Sequence, residues 1–365
     1  MRPCVLLVSC VVGVLVAATA DAVVCQKKKS GTLRVRPIEC KRGEIPFEGA
    51  FGPAGPQGPG GELRIYGNGS AGPLTVETQN AFDDVTNLQF TDLTIPTTAL
   101  VFVASGTVIR CTGTFTNNGT LQVGGAAEGA SHFVPNGGSI DPASRGAHPG
   151  VSPGAAMSGE RAQSVSSYAG SGGTALEPRQ ARRLLAPGLY GGGGGGYGSG
   201  QFGSGGTGGG SVTILAAVAA VNNGVIDASG TTQQSFTAGG GAGGIIIVAS
   251  RGSVTNNGVL RAEGTAGGDS FLDGGAGGGG GGGIVHLLAP TINSVGSVAV
   301  AGGAPGATGS PGSVIASIRY GGGGGGACGG AGGYGGSVNN QSPIAATGGD
   351  PGQMFESLLD PTSLF

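Results

Sequence analysis

The chain has no tryptophan, and charged side chains make up only 10% of it, with a formal net charge of −2. That balance excludes the basic stripe a nucleic-acid surface requires. After residue 22 no apolar run is long enough for a membrane-spanning helix, so a helical membrane protein is excluded as well. The histidines, His132, His148 and His286, show no metal-ligand spacing. The poly-glycine runs lack the Lys-Ser/Thr pair of a phosphate loop, and there is no serine elbow. The acids are scattered: Asp83-Asp84 before a strand, Asp227 and Glu263 on different repeats, Asp269 and Asp273 flanking a loop. Glycosidic cleavage needs a converging pair. The expectation is a chain with no catalytic residue, no metal and no cofactor.

What the sequence has in excess is glycine, 84 of 365 residues, without a strict Gly-X-Y period. The glycines bracket short apolar strands in a recurring Gly-x-h-x-(Ala/Val)-x-Gly unit. Its copies are Gly119–Gly125, Gly224–Gly230, Gly258–Gly264 and Gly296–Gly302, the last three 34 and then 38 residues apart. Such a period marks a solenoid. With a two-residue side-chain period, Leu121/Val123, Ile226/Ala228, Leu260/Ala262 and Val298/Val300 share an inner face. Gln122, Asp227, Arg261 and Ala299 point outward, and Asp227 and Arg261 are placed for a surface ion pair between successive rungs. A second apolar strand precedes each late copy: Ser211–Ala216, Ile245–Ala249 and Ile284–Ala289. Two or three strands per turn make an all-β, glycine-rich, right-handed parallel β-helix with long glycine loops. Asn117-Asn118, Asn222-Asn223 and Asn256-Asn257 recur at one bend, as a stacked amide ladder or as turns tolerant of positive φ.

Five segments are expected. Residues 1–22 have the form of a secretory signal, so the chain is expected to be secreted or held at the cell surface. Residues 23–51 are a basic head in which Lys27, Lys28 and Lys29 could contact an anionic lipid or surface polysaccharide, with Cys25 and Cys40 spaced for a disulfide closing a small hairpin. Residues 52–61 hold three Gly-X-Y triplets, a stiff spacer or, through 52–60, a homotrimerising stub. Residues 62–349 form the β-helix, interrupted by an insertion at 125–210. Within the insertion, Arg179, Arg182 and Arg183 share a face of a short helix and could hold an anion or polymer. Residues 350–365 are a tail or cap, and the glycine runs are expected to stack as parallel polyproline-II-like segments beside the helix. The run from Leu88 to Ile95 is taken as one strand, and Cys111 as either a partner of Cys328 or a buried small residue.

The block Cys40-Lys-Arg-Gly-Glu44 followed by Gly-Pro triplets resembles the head of bacterial secreted collagen-like-repeat proteins, over residues 24–61. The glycine-asparagine rungs of 62–345 resemble bacterial surface β-helices, including autotransporter passenger domains and haemagglutinin-type adhesins. These resemblances imply a structural or adhesive protein in multivalent contact with cell-surface or matrix polysaccharide. The alternative is a polysaccharide-active β-helix like the pectin-degrading enzymes, with 125–210 as a substrate wall. An ice-binding solenoid would require a flat array of regularly spaced threonines, which the rungs as read along the chain do not supply.

Overall fold

The computed structural model describes residues 23–27, 33–36, 41–42, 44–46, 65–77, 79–82, 87–125, 191–196, 205–231, 236–270, 275–308, 319–327, 329–338 and 343–364. The signal segment, Lys28, Lys29, Cys40, the triplets 52–60, the arginine trio and Cys328 lie outside them. The chain divides into two compact units, Met1–Gln57 and Gly58–Phe365. In the first, β1 (Val23–Lys27) pairs antiparallel with β2 (Leu33–Arg36) and with β3 (Glu44–Pro46). Cys25 and Lys27 fall on β1.

The second unit is a three-sided parallel solenoid of six rungs, each contributing one strand to each side. Face 1 stacks β4 (Leu74–Thr75), β7 (Leu93–Ile95), β10 (Thr114–Asn117), β13 (Ala219–Asn222), β16 (Ser253–Asn256) and β19 (Thr291–Ser294). Face 2 stacks β5 (Gln79–Phe82), β8 (Leu100–Val103), β11 (Thr120–Val123), β14 (Val225–Asp227), β17 (Val259–Arg261) and β20 (Ser297–Ala299). Face 3 stacks β6 (Asn87–Phe90), β9 (Thr107–Cys111), β12 (Ser211–Ala216), β15 (Ile245–Ser250), β18 (Ile284–Leu288) and β23 (Gln353–Ser357). A short antiparallel pair, β21 (Arg319–Tyr320) with β22 (Ser337–Val338), lies in the last excursion.

The inner face read from the repeat is the core. Leu121, Val123, Ile226, Ala228, Leu260 and Ala262 are buried, packed with Phe90, Ile95, Phe115, Ile214, Ile246 and Val285. Gln122, Asp227 and Arg261 stand outward and half-buried. The run 88–95 is two strands, not one: β6 buries Leu88 and Phe90, β7 buries Leu93 and Ile95, and Thr91-Asp92 turns the corner between them. The break in the two-residue period at those positions is the corner itself. Residues 353–357 join face 3 as its last strand. At this end Ile292, Val298 and Val300 are half-buried. Glu356 takes the inward column of Leu287, and an inward charge on an edge strand resists further strand addition.

Face 3 is buried on its outer side too, where Leu215, Ile247, Ile284 and Leu288 form a second apolar cluster with Ile65 and Tyr66. The Arg110 guanidinium donates to the Ile65 carbonyl, and the Tyr66 and Thr362 hydroxyls lie 3.4 Å apart.

The glycine runs form a layer of their own, built on the excursions that join face 2 to face 3 in rungs three to six. Each leaves after a face 2 strand and returns into a face 3 strand, as in 262–270 out and 275–283 back. Segment 275–283 shows the bonding rule. Gly277, Gly280 and Gly283 donate to Gly268, Thr265 and Ala262; Gly278 and Gly281 donate to Gly322 and Gly325; Gly279 and Gly282 donate to Thr347 and Asp350. In return Gly240 and Gly243 donate to Gly278 and Gly281, Gly303 and Gly306 to Gly280 and Gly277, and Gly333 to Gly279. Donors three apart reach one neighbour, so a segment with three residues per turn is bonded on all sides. Neighbours run in both senses, not in parallel only: partner numbers rise together from 240/278 to 243/281 but oppose from 277/268 to 280/265. A glycine backbone imposes no direction once there is no side chain to place. Glycine is needed here for proximity rather than for positive φ, which among the described glycines occurs only at Gly67, Gly69, Gly72 and Gly106. A Cβ at Gly280 would overlap the Gly241 carbonyl, and one at Gly239 that of Gly323.

Candidate functional site

The three faces offer different chemistry. Face 3 is covered. On its outer side His286 is buried, its Nε2 2.9 Å from Ser357 Oγ and its ring 5.6 Å from that of Phe355, edge to face. The imidazole faces outward from the solenoid and is packed, because this side of the sheet is not open to solvent.

Face 2 carries the expected ion pair. Arg261 Nη1 lies 3.6 Å from Asp227 Oδ2 and its Nε 3.3 Å from Glu263 Oε2. Parallel pairing sets Asp227 beside Arg261, one strand spacing away. The cluster has one cation between two acids at the surface. Asp269 is spent on structure, its Oδ1 accepting from the Ala307 amide at 2.7 Å. Among the described residues no group of three or more His, Cys, Asp or Glu is gathered closely enough to hold a metal ion. A cavity in the solenoid interior is lined mainly by apolar side chains, among them Phe115, Ile226, Leu260 and Leu287, with Asn222 and Asn256 of the inner ladder also at its wall. Cys111 is a free thiol buried in the core, which settles the choice between pairing and packing. Burial, with Asp92 as the smaller contributor, pushes its pKa up to about 12.

Face 1 is bordered by two amide ladders. Inside, Asn117 Nδ2 donates to Asn222 Oδ1 and Asn222 Nδ2 to Asn256 Oδ1, both at 2.8 Å, and Asn256 reaches Ser294 Oγ at 3.3 Å. The stack begins above Ile95, so Asn117 Oδ1 is buried with no hydrogen-bond partner. Outside, Asn257 donates to Asn223 and Asn223 to Asn118, again at 2.8 Å. Paired asparagines in the sequence thus become two ladders, one on each side of the sheet. The outward positions beside them form columns of small, mostly polar residues. Thr75, Thr94, Thr116, Val221, Thr255 and Asn293 form one; Thr114, Ala219, Ser253 and Thr291 form the next. Sequence inspection did not find these columns. The signal was the positions one and three residues before each inner asparagine or its equivalent, hidden by rung lengths that change from 22 to 105 to 34 residues.

Of the proposed contact residues, Arg179, Arg182, Arg183, Lys28 and Lys29 lie outside the described residues, and Lys27 belongs to the N-terminal unit. The described parts of the 125–210 insertion, 191–196 and 205–210, are buried in the glycine layer. Gly193 and Gly196 donate to Gly326 and Gly323 there. No known protein family matches the chain, and comparison with curated proteins and with solved structures found no match either.

Proposed function

We propose that the protein is an exported structural or adhesive element that makes multivalent contact with a cell surface or matrix polysaccharide along a rigid, repetitive body. One observation carries this reading: six rungs in unbroken parallel register repeat the same outward positions along face 1. Identical weak contacts held at fixed spacing gain avidity without any one being strong. The Gly-X-Y triplets at 52–60 would multiply the effect if they join three chains. Arg179, Arg182 and Arg183 would add an anion-binding contact.

The test is attachment of the purified chain to cells and to insoluble polysaccharide, beside a variant lacking 52–60, with molar mass measured by light scattering. Attachment that weakens as a trimer becomes a monomer supports the reading. Release of unsaturated or reducing sugar from a polyuronate would overturn it in favour of a polysaccharide-active enzyme.

A further inference from the structure

Every long excursion leaves the solenoid at one corner, between faces 2 and 3. The corners flanking face 1 stay short: Thr112-Gly113, Ala217-Val218, Arg251-Gly252 and Ala289-Pro290 lead into its strands, and Asn118-Gly119, Asn223-Gly224, Asn257-Gly258 and Val295-Gly296 lead out. Neither the glycine layer nor the second apolar cluster is built on face 1, and its outward residues are half-buried or exposed in every rung. Faces 1 and 2 therefore differ in chemistry alone, and the difference is clear. The outward columns of face 1 hold hydroxyl, methyl and amide groups, with no aromatic ring and no cation. Two acids stand beside them: Asp92, whose Oδ1 accepts from the Thr114 amide at 2.7 Å, and Glu77, exposed at the corner after Thr75.

The columns form a grid in two directions. Along the solenoid the spacing is one strand separation, about 4.8 Å, and across the strand it is two residues, about 6.7 Å. Thr75, Thr94, Thr116 and Thr255 occupy one line, interrupted by Val221 in the fourth rung and ended by Asn293, and Thr114, Ser253 and Thr291 the neighbouring one, interrupted by Ala219. Along the chain the first four are separated by 19, 22 and 139 residues, which is why no regular array shows in the sequence. In the register between rungs, threonines recur in the first three rungs and again in the fifth. Side-chain ladders restrain the twist of a sheet, and two asparagine ladders run along one edge of this one.

We propose that face 1 binds ordered water at an ice surface. Its hydroxyls can donate and accept in turn, and a fixed lattice of such groups holds bridging waters at the lattice's own spacing. The methyl groups between them leave those waters no competing polar partner. A soluble polysaccharide would call for aromatic platforms or a cleft, and a charged partner for complementary charge; face 1 has none of these. This names a ligand for the repetitive surface proposed above. It rests on the rigid body of that reading, not on attachment to cells.

The experiment uses the purified full chain with ice as the probe, read by thermal hysteresis and by adsorption of labelled protein to a growing ice hemisphere. Thr116→Lys places a charge at the centre of the grid, and Thr120→Lys places the same charge on face 2. Hysteresis and adsorption are expected for the unaltered chain and Thr120→Lys and lost in Thr116→Lys, with unchanged circular dichroism. Should Thr116→Lys fail to fold, Thr94→Val with Thr255→Val removes hydroxyls at nearly constant shape and is expected to lose adsorption. No adsorption by the unaltered chain, or equal loss in Thr120→Lys, would overturn the inference. So would Thr116-dependent binding to insoluble polysaccharide without binding to ice. Attachment to cells is scored on the same samples. Attachment without ice adsorption sinks this inference alone, and adsorption without attachment sinks the adhesive reading alone.

Discussion

The solenoid and the glycine layer are two ordered bodies made by one stretch of chain from opposite inventories. In the solenoid, backbone bonding fixes the ladders and apolar side chains supply the driving force, with Ile214, Ile226, Leu260 and Leu287 buried at the centre. In the layer there are almost no side chains to bury, and order comes from backbone amides bonded to neighbours all round. The first region tolerates an exchange of one apolar shape for another of similar volume. The second accommodates a few methyls, at Ala242, Ala276 and Ala327, but no added carbon at glycines such as Gly239 and Gly280, where the nearest neighbour is a carbonyl that cannot rotate away.

Substitutions should separate the two regions in that order. Gly280→Val is expected to cost more than the ~1–3 kcal/mol of ordinary overpacking. It should open the layer to protease while face 1 and face 2 survive; a melting point equal to the parent's would contradict backbone-only packing. Ile226→Ala in the solenoid core should cost about 3 kcal/mol by urea titration, with no protease site opened in the glycine runs. Asn222→Ala breaks the inner ladder in its middle and leaves Asn256 Oδ1 without its donor, a loss of about 2 kcal/mol. Asn223→Ala, on the outer and solvated ladder, should cost well under half of that; equal costs would mean that burial of the ladder is irrelevant.

Cys111 gives a smaller effect that depends on pH. Its thiol is pushed up from 9.0 to about 12 in the folded chain. Between those values the unfolded chain has lost the proton and the folded chain keeps it. Its contribution to stability is therefore complete below about pH 9 and declines as pH rises towards 12, by ~1.4 kcal/mol per unit at most. Cys111→Ala should flatten that alkaline slope in denaturant titrations. Arg261→Ala is expected to change stability least, by ~0.5 kcal/mol, because the ion pair with Asp227 and Glu263 lies at the surface.

Face 2 was legible in its last four rungs because those strands carry two signals together, a two-residue apolar period and a bracketing glycine, as in Gly224 to Gly230. Face 3 was legible in its late rungs, where Ile245–Ala249 is apolar throughout, as a strand buried on both sides is expected to be. Face 1 was not, since its inward column changes from Ile95 to Asn117 between one rung and the next. A polar residue facing the core breaks the pattern by which strands are recognised, yet the neighbouring asparagine satisfies it. The threonine grid was hidden for a related reason. It exists only in the register between rungs, and the 105 residues between Asn117 and Asn222 carry no trace of that register. The glycine layer was foreseen as stacked extended segments, but no composition distinguishes parallel from antiparallel neighbours when the side chain is a hydrogen atom.

The single corner from which all excursions depart also sets an order in time. Gly193 and Gly196 are bonded to Gly326 and Gly323, and Gly278 and Gly281 to Gly322 and Gly325. The segment 191–196 therefore waits for partners synthesised more than a hundred residues later, whereas rungs one and two close from neighbours about twenty residues apart. Contacts of such different sequence separation form at different rates, local ones first. A chain emerging from its N-terminus can complete the start of the solenoid while residues 191–196 still lack their bonding partners. The glycine layer is then the last part to close, and its closure reports that the whole chain has arrived.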